Sequence, residues 1–199
     1  MTEGDQGTKV GGLRERKRRE TAQRISDVAL RLFLANGYEA TTLEAIAAEA
    51  GISRRTFFYY YKSKDDILIS MQSGMGEAIA AGLRDEPEDK RPIIAVRDII
   101  LRMSEAYTAE HMIAIDRLMR SSEVVMARKQ ASYVEHERTV FAALRAKWPD
   151  PGQETSLRMV AMLAIGSIRL ALEAFNRDEG RRPVGNHLRE VFAALDSDI

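Results

Sequence analysis

The residues best suited to chemistry lie between Ala50 and Lys64, a stretch with four basic side chains and no acidic one. Arg54 and Arg55 are adjacent, and each guanidinium can form two hydrogen bonds to O6 and N7 of a guanine. Thr56 can donate to a phosphate or contact a thymine methyl group. A short basic run can also be mere solvated surface, but these residue types favour recognition of a nucleic acid without any covalent step.

The flanking residues predict the elements that would present these side chains. Thr41 can cap a helix and form a capping box with Glu44, and Gly51 ends that helix after two turns. Ser53 is a suitable N-cap for the next helix, predicted from Arg54 to about Tyr60. Two short helices joined by Gly-Ile-Ser are typical of a helix-turn-helix, whose second helix would lie in a DNA major groove.

Five aromatic residues occupy one and a half turns of this second helix and its end. By helical spacing, Phe57, Tyr60 and Tyr61 are expected nearer the core, while Phe58 and Tyr59 are expected nearer the DNA.

The formal net charge of the 199 residues is zero, but it is unevenly distributed. Residues 1–64 carry 12 basic and 8 acidic side chains, so the remainder carries a net charge of −4. Lys62 and Lys64 stand where a flanking phosphate would run, and the basic segment Lys9 to Arg19 could add a mobile arm on the backbone or in the minor groove. The asymmetry predicts that the N-terminal part meets a polyanion.

Several classes of site are disfavoured by composition. The chain has no cysteine, and its three histidines, His111, His136 and His187, lack a second ligand at metal spacing. No phosphate-binding loop, G-x-S-x-G or H-E-x-x-H motif occurs. We therefore expect no metal, no cofactor and no catalysis. The run Met159 to Ile168 is too short to span a membrane, so a soluble, cytoplasmic protein is expected.

The whole chain follows a helical pattern, which predicts an all-α fold of about nine helices. We expect a disordered arm at 1–12, a helix-turn-helix domain at 13–68 and a larger helical domain at 69–199. The first helix would run from about Leu13 or Arg14 to Asn36, with Gly37 beyond it. Its expected core stripe is Ile25, Val28, Ala29, Leu32 and Phe33. Ser63 with Asp66 would open a fourth helix that runs to about Leu83. Five more helices are predicted, at about 93–109, 111–119, 122–147, 153–177 and 185–196.

The segment from Arg24 to Met71 closely resembles the TetR family of bacterial transcriptional regulators, through ISDVALRLFLANG (25–37) and YEATTLEAIAAEAGISRRTFFYYYKSKDDIL (38–68). The resemblance implies a homodimer with an N-terminal DNA-binding domain and a C-terminal domain for ligand binding and dimerisation. It also implies repression that a small molecule relieves. The positions that match the family's DNA-facing residues are Thr41 or Thr42, Ser53, Arg54, Arg55, Thr56, Phe58, Tyr59, Tyr60 and Lys64.

The sequence departs from the family pattern at four positions in this region. Phe58 stands where Tyr is most common, so a phosphate bond is lost unless Tyr59 replaces it. Tyr60 replaces a frequent His, and Lys62 replaces a frequent Pro and adds a charge. Arg55 replaces a small residue, and it would either contact a base or instead contact a phosphate or form a salt bridge with Glu49.

The C-terminal part resembles, more weakly, the subgroup whose C-terminal domain is described as acyl-CoA-like ligand binding. Its methionines suit an adaptable apolar pocket, although methionines at helical spacing are also ordinary core residues. Arg169 interrupts an apolar helix and, if buried, needs a partner such as Glu173, a ligand carboxylate or a residue of a second subunit. The candidate pocket residues are Met103, Tyr107, Met119, Met126, Tyr133, Met162, Arg169 and Phe175.

The last two helices are expected to pair with their copies in a four-helix dimer interface. Its candidate residues are Leu157, Leu163, Leu172, Leu188, Val191, Phe192 and Leu195. The expected function is a repressor that binds a pseudo-palindromic operator as a dimer and is released by a small apolar or acyl-type effector. The alternatives are an activator or ligand-independent regulator of the same fold, or a helical enzyme or scaffold with an incidental basic arm.

Overall fold

The computed structural model describes residues 7–106, 108–120 and 122–198, with their side chains except at 7–11, 72, 73, 111 and 198. Within these ranges the chain forms α-helices joined by turns, so the predicted all-α fold is confirmed. The helices are α1 (Gly7–Asn36), α2 (Leu43–Glu49), α3 (Arg54–Tyr60), α4 (Lys64–Ser73), α5 (Met75–Asp85), α6 (Pro92–Ser104), α7 (Ala109–Arg120), α8 (Glu123–Lys147), α9 (Glu154–Arg177) and α10 (Val184–Asp198). A short 3₁₀ helix, Pro151–Gln153, precedes α9.

The predicted fourth helix is divided into α4 and α5 by a turn at Gly74. Counted as one interrupted helix, the two give the nine helices predicted. The second glycine of this segment has a packing role, because a Cβ on Gly76 would lie 3.1 Å from the Cα of His136 in α8. Only a residue without a side chain lets α5 approach α8 so closely.

Helix α1 begins six residues before its predicted start. The expectation of a disordered arm as far as Gly12 is wrong for residues 7–12, which are helical, and residues 1–6 lie outside the described part of the chain. The glycines of this segment disfavour a helix by about 1 kcal/mol each, but each residue added to an existing helix gains a hydrogen bond.

The chain divides into two compact units, residues 1–71 and 72–199. The core of the first unit is formed by one face of α1 and the short helices that follow it. The predicted stripe on α1 is buried at Ile25, Val28, Ala29 and Phe33, whereas Leu32 is half-buried. Gly37 follows that helix with a φ of 85°. The largest residues that complete this core are Ile46, Phe57, Ile67 and Leu68.

The second unit has its own core, to which α5, α6, α8, α9 and α10 contribute. Helix α9 is central to it and is, by length and composition alone, long and apolar enough to cross a membrane. However, α9 buries eight residues of one face, and Leu157, Ile165 and Ile168 are among those that belong to this core. This face packs as a core helix does.

The opposite face of α9 is exposed, which corrects two expectations. Arg169 is not buried, because it lies on this exposed face. Leu157, Leu188 and Phe192 are at most 3% exposed within one chain, so they are core residues and cannot contact a second copy. The apolar residues that α9 does expose are Met159, Met162 and Leu170.

Candidate nucleic-acid interface

The first short helix, α2, is capped by Thr42, whose Oγ1 accepts a hydrogen bond of 3.1 Å from the backbone N–H of Ala45. The prediction that Thr41 caps this helix and faces DNA is therefore wrong. Thr41 is 2% exposed, and its hydroxyl lies within hydrogen-bond distance of the carbonyls of Gly37 (2.8 Å) and Leu32 (3.2 Å). A buried hydroxyl takes the partners nearest to it, and here those belong to the end of α1.

The turn between α2 and α3 has the geometry that its glycine predicts. Gly51 has a φ of 68°, which side chains rarely tolerate, and the N–H of Ile52 donates to the carbonyl of Ala47 over 3.0 Å. Ser53 then caps α3, because its hydroxyl accepts a hydrogen bond of 3.1 Å from the N–H of Thr56. The predicted helix from Arg54 to Tyr60 is confirmed.

Both arginines at the start of α3 are exposed. The guanidinium of Arg54 lies 3.2 Å from a carboxylate oxygen of Glu44 and 5.6 Å from the ring centre of Phe58. Arg55 forms no ion pair with a described residue, since the carboxylate of Glu49 binds Arg31 over 3.0 Å. The salt-bridge alternative for Arg55 is thus absent here, and its guanidinium remains available for a base or a phosphate.

The aromatic residues divide between core and surface as predicted. Phe57 is fully buried and Tyr61 is 8% exposed, whereas Phe58 and Tyr59 are 43% and 71% exposed. Tyr60 is half-buried, with its ring 5.1 Å from that of Tyr59. One face of α3 therefore carries exposed arginine and aromatic side chains, and the other fixes the helix to the core.

Tyr61 fixes the end of α3 to α1 through its hydroxyl. The oxygen forms a hydrogen bond of 2.8 Å with Ser26 Oγ and donates to the carbonyl of Ala22 over 3.1 Å. The hydroxyl of Ser70 in α4 lies 3.4 Å from it and donates over 2.7 Å to the carbonyl of Ile67. The sequence pattern predicts that Tyr61 is buried, but it does not predict this network.

Lys64 is half-buried and has an anchoring role that the sequence reasoning missed. Its ammonium donates to the carbonyl of Tyr38 over 2.7 Å and lies 4.4 Å from the centre of that ring. Burial raises the pKa of Tyr38, and the hydrogen bond that the Tyr38 hydroxyl donates to Asp65 raises it further. The expected phosphate contact is better suited to Lys62, which is exposed. Ser63 caps α4 through the N–H of Asp66, as predicted.

The candidate effector-pocket residues are not all brought together. Met119, Tyr133 and Phe175 are buried, and Met103 and Met126 are half-buried. Met162 is 52% exposed on the outer face of α9, so its assignment to a pocket is wrong. Arg169 stacks on Tyr133 with its guanidinium 5.4 Å from the ring centre. Tyr107 lies outside the described residues.

In the described part of the chain, no group of three His, Cys, Asp or Glu residues is arranged to hold a metal ion.

Comparison with known proteins supports the reading of the first unit. Residues 25–71 match the N-terminal domain of bacterial regulatory proteins of the tetR family. The chain is 41% identical over 85 residues to the HTH-type transcriptional regulator TcmR of Streptomyces glaucescens, a match that covers 43% of this chain and 38% of TcmR. It is 31% identical over 104 residues to the fatty acid metabolism regulator protein of Bacillus subtilis, covering 50% and 52% of the two chains. The chain thus spans about half or less of these relatives.

A solved structure extends the likeness to both units. The transcriptional regulator FadR from Bacillus subtilis in complex with stearoyl-CoA matches 89% of this chain and 98% of its own, with a TM-score of 0.60. At 18% identity this likeness shows the fold alone. Residues 25–71 therefore match the N-terminal domain of the tetR family of bacterial regulatory proteins, and the chain shares the fold of FadR over most of its length.

Proposed function

We propose that the chain is a cytoplasmic transcriptional regulator that binds double-stranded DNA as a homodimer and responds to a small molecule. The observation that carries the proposal is the surface of α3, where a Ser53-capped N-terminus presents Arg54 and Arg55 beside the exposed ring of Tyr59. The free N–H groups of a helix N-terminus attract phosphate, and arginine reads guanine in the major groove.

The pattern of charges supports a specific site over general adhesion to DNA. No acidic residue occurs from Ala50 to Lys64, while residues 65–199 have a net charge of −4. The C-terminal part would therefore be repelled by phosphates. We infer that affinity comes from the residues between Thr42 and Lys62, with weak non-specific binding at physiological salt.

The proposed dimer uses the outer face of α9. Met159, Met162 and Leu170 are each more than half exposed, and they lie on one side of the helix with Gly166 between them. A Cβ on Gly166 would meet open space, so this stripe is unoccupied within one chain. Apolar stripes of this kind are buried when a second helix packs on them, and two copies would present two recognition helices to an operator.

We propose a repressor whose effector is apolar or of acyl type. The support is the shared fold with a regulator whose structure holds stearoyl-CoA and the sequence likeness to a fatty acid metabolism regulator. Release requires that the effector bind the DNA-free state more tightly than the DNA-bound one. It would act by changing the spacing of the two recognition helices, which must match grooves about 34–36 Å apart or a multiple of that distance.

The experiment that tests the proposal is selection of DNA from a random library with the full-length protein, followed by titration of the selected sequence. We expect a pseudo-palindromic site and an affinity that falls steeply with salt. Equal affinity for the selected and the scrambled sequence would overturn DNA recognition. Adding lauroyl-CoA to the complex tests the effector, since an acyl effector should lower the affinity for the selected DNA.

A further inference from the structure

A cleft of about 460 Å³ lies between α7 and the C-terminal end of α9, within the second unit. Residues at helical spacing line its two sides. The α7 side presents Ile113, Asp116, Arg117 and Arg120, and the α9 side includes Glu173 and Arg177. This volume is typical of a small-molecule site, and none of the candidate pocket residues lines it.

The arginines of this cleft are not all used in ion pairs. Arg120 binds Asp116 over 2.6 Å, and Lys129 lies 3.5 Å from the same carboxylate. In contrast, Arg117 of α7 and Arg177 of α9 both line the cleft and form no ion pair with any described residue. Unpaired guanidinium groups that line one cleft suit a ligand carboxylate or phosphate, which each can bind through two parallel hydrogen bonds.

The end of the cleft is held in a fixed shape by the turn after α9. Glu179 also lines the cleft and has a φ of 56°, and a Cβ on the following Gly180 would come within 2.3 Å of Ile113. Asp178, at the start of the turn, lies 2.9 Å from the ring of the buried His187 in α10. The turn thus contacts both α7 and α10.

We infer that this arginine cleft binds a small molecule that carries a carboxylate or phosphate group on an apolar body. The anionic group lies between Arg117 and Arg177, and the apolar part contacts Ile113. Glu173, which has no ion-pair partner among the described residues, opposes an anion and limits its affinity. The inference deepens the proposed function, because it gives the effector a site and a chemical class.

The test uses the full-length protein without DNA, so that its failure leaves DNA recognition untouched. Sodium octanoate and inorganic phosphate are titrated at constant ionic strength by isothermal calorimetry and by melting temperature, with sodium chloride and 1-octanol as controls. The test variants are R117Q/R177Q and E173Q, together with N176W, which fills the cleft without removing a charge. The charge-matched control is R138Q/R145Q on α8, whose arginines are exposed and lie outside the cleft.

We expect saturable binding of octanoate, of phosphate or of both, which distinguishes the two anion classes. R117Q/R177Q should weaken it about tenfold or more, and N176W should weaken it similarly. R138Q/R145Q should stay within about twofold of the wild type, and E173Q should bind severalfold more tightly. No saturable binding of either anion, or equal weakening by both arginine pairs, would overturn the site. A change of oligomeric state in R117Q/R177Q with unchanged anion affinity would instead assign these arginines to a subunit contact.

Discussion

Two exposed cations beside α3 differ in what they can recognise. Arg54 lies at the N-terminus of α3, where we propose that it reads a base edge, while Lys62 follows the helix, where we propose that it contacts the phosphate backbone. We expect R54A to weaken binding to the selected operator by about 1–3 kcal/mol and to relax the preference at one base pair. K62A should weaken binding to all sequences alike and reduce the salt slope by about one.

Both effects are measured by fluorescence anisotropy at several salt concentrations, on the operator and on single-base variants of it. E44Q is a useful companion variant, because it removes the carboxylate that holds Arg54 without touching the guanidinium. If R54A lowered the affinity for every sequence by the same factor, Arg54 would be a phosphate contact and its assignment to base reading would be wrong.

Tyr61 is a residue whose hydroxyl contributes to stability. Y61F keeps the ring in the core but removes the oxygen that bonds Ser26 and the Ala22 carbonyl. We expect a loss of about 1–2 kcal/mol in the free energy of unfolding of the first unit, because the buried hydroxyl of Ser26 is left without this partner. Denaturant unfolding measures it. Y59F, a change at an exposed ring, should leave stability unchanged; equal losses in both variants would contradict the role given to the Tyr61 hydroxyl.

At the scale of elements, Glu86 connects α5 to α6. Glu86 is the C-cap residue of α5. Its side chain is 8% exposed, and its carboxylate accepts hydrogen bonds from Lys90, over 2.6 Å, and from Arg102. These bonds lower the pKa of Glu86 below its ordinary value of 4.5. The stability it contributes is therefore fully present above that value and is lost as the pH falls through the lower pKa of the folded state.

We expect E86Q to cost about 1 kcal/mol at neutral pH. The difference in unfolding free energy between wild type and E86Q should shrink as the pH falls from about 5 to 3. Thermal unfolding across this range, with the exposed Glu88 changed to Gln as the control, measures the effect. A difference that stays constant with pH would show that the Glu86 charge is not what stabilises this corner.

At the scale of the whole molecule, the exposed stripe of α9 sets the expected assembly. M159E/M162E places two charges on this stripe, where a second helix would otherwise bury each methionine and gain about 1.5–3 kcal/mol per side chain. We expect a monomer at concentrations where the wild type is dimeric, with unchanged helicity, as measured by sedimentation equilibrium. The same variant should lose most of its operator affinity, because only one recognition helix binds per molecule.

V134E is the matched control, since Val134 is 51% exposed on α8 and outside this stripe. A dimer that survives M159E/M162E would show that subunits associate through another surface.

The helix-turn-helix was predictable from sequence because its determinants are local. The hydroxyl of Ser53 accepts a hydrogen bond from the N–H three residues later, and Gly51 permits a left-handed turn. The helical spacing of the aromatic residues decides which of them face the core. Thr41 shows where such reasoning fails. Two adjacent threonines could cap α2, and only the packing of α1 against α2 decides that Thr41 is buried and Thr42 is the cap.

The sequence by itself determined the all-α fold, the recognition helix and the uneven charge, since each depends on periodicity, capping or composition within a few residues. Tertiary structure alone decided which side of α9 enters the core, so that Arg169 and Met162 face outward while Phe175 faces inward. It also brought Arg117 and Arg177, sixty residues apart in sequence, to one cleft. Such contacts depend on how distant helices pack, and a helical pattern gives the apolar faces without stating which face meets which partner.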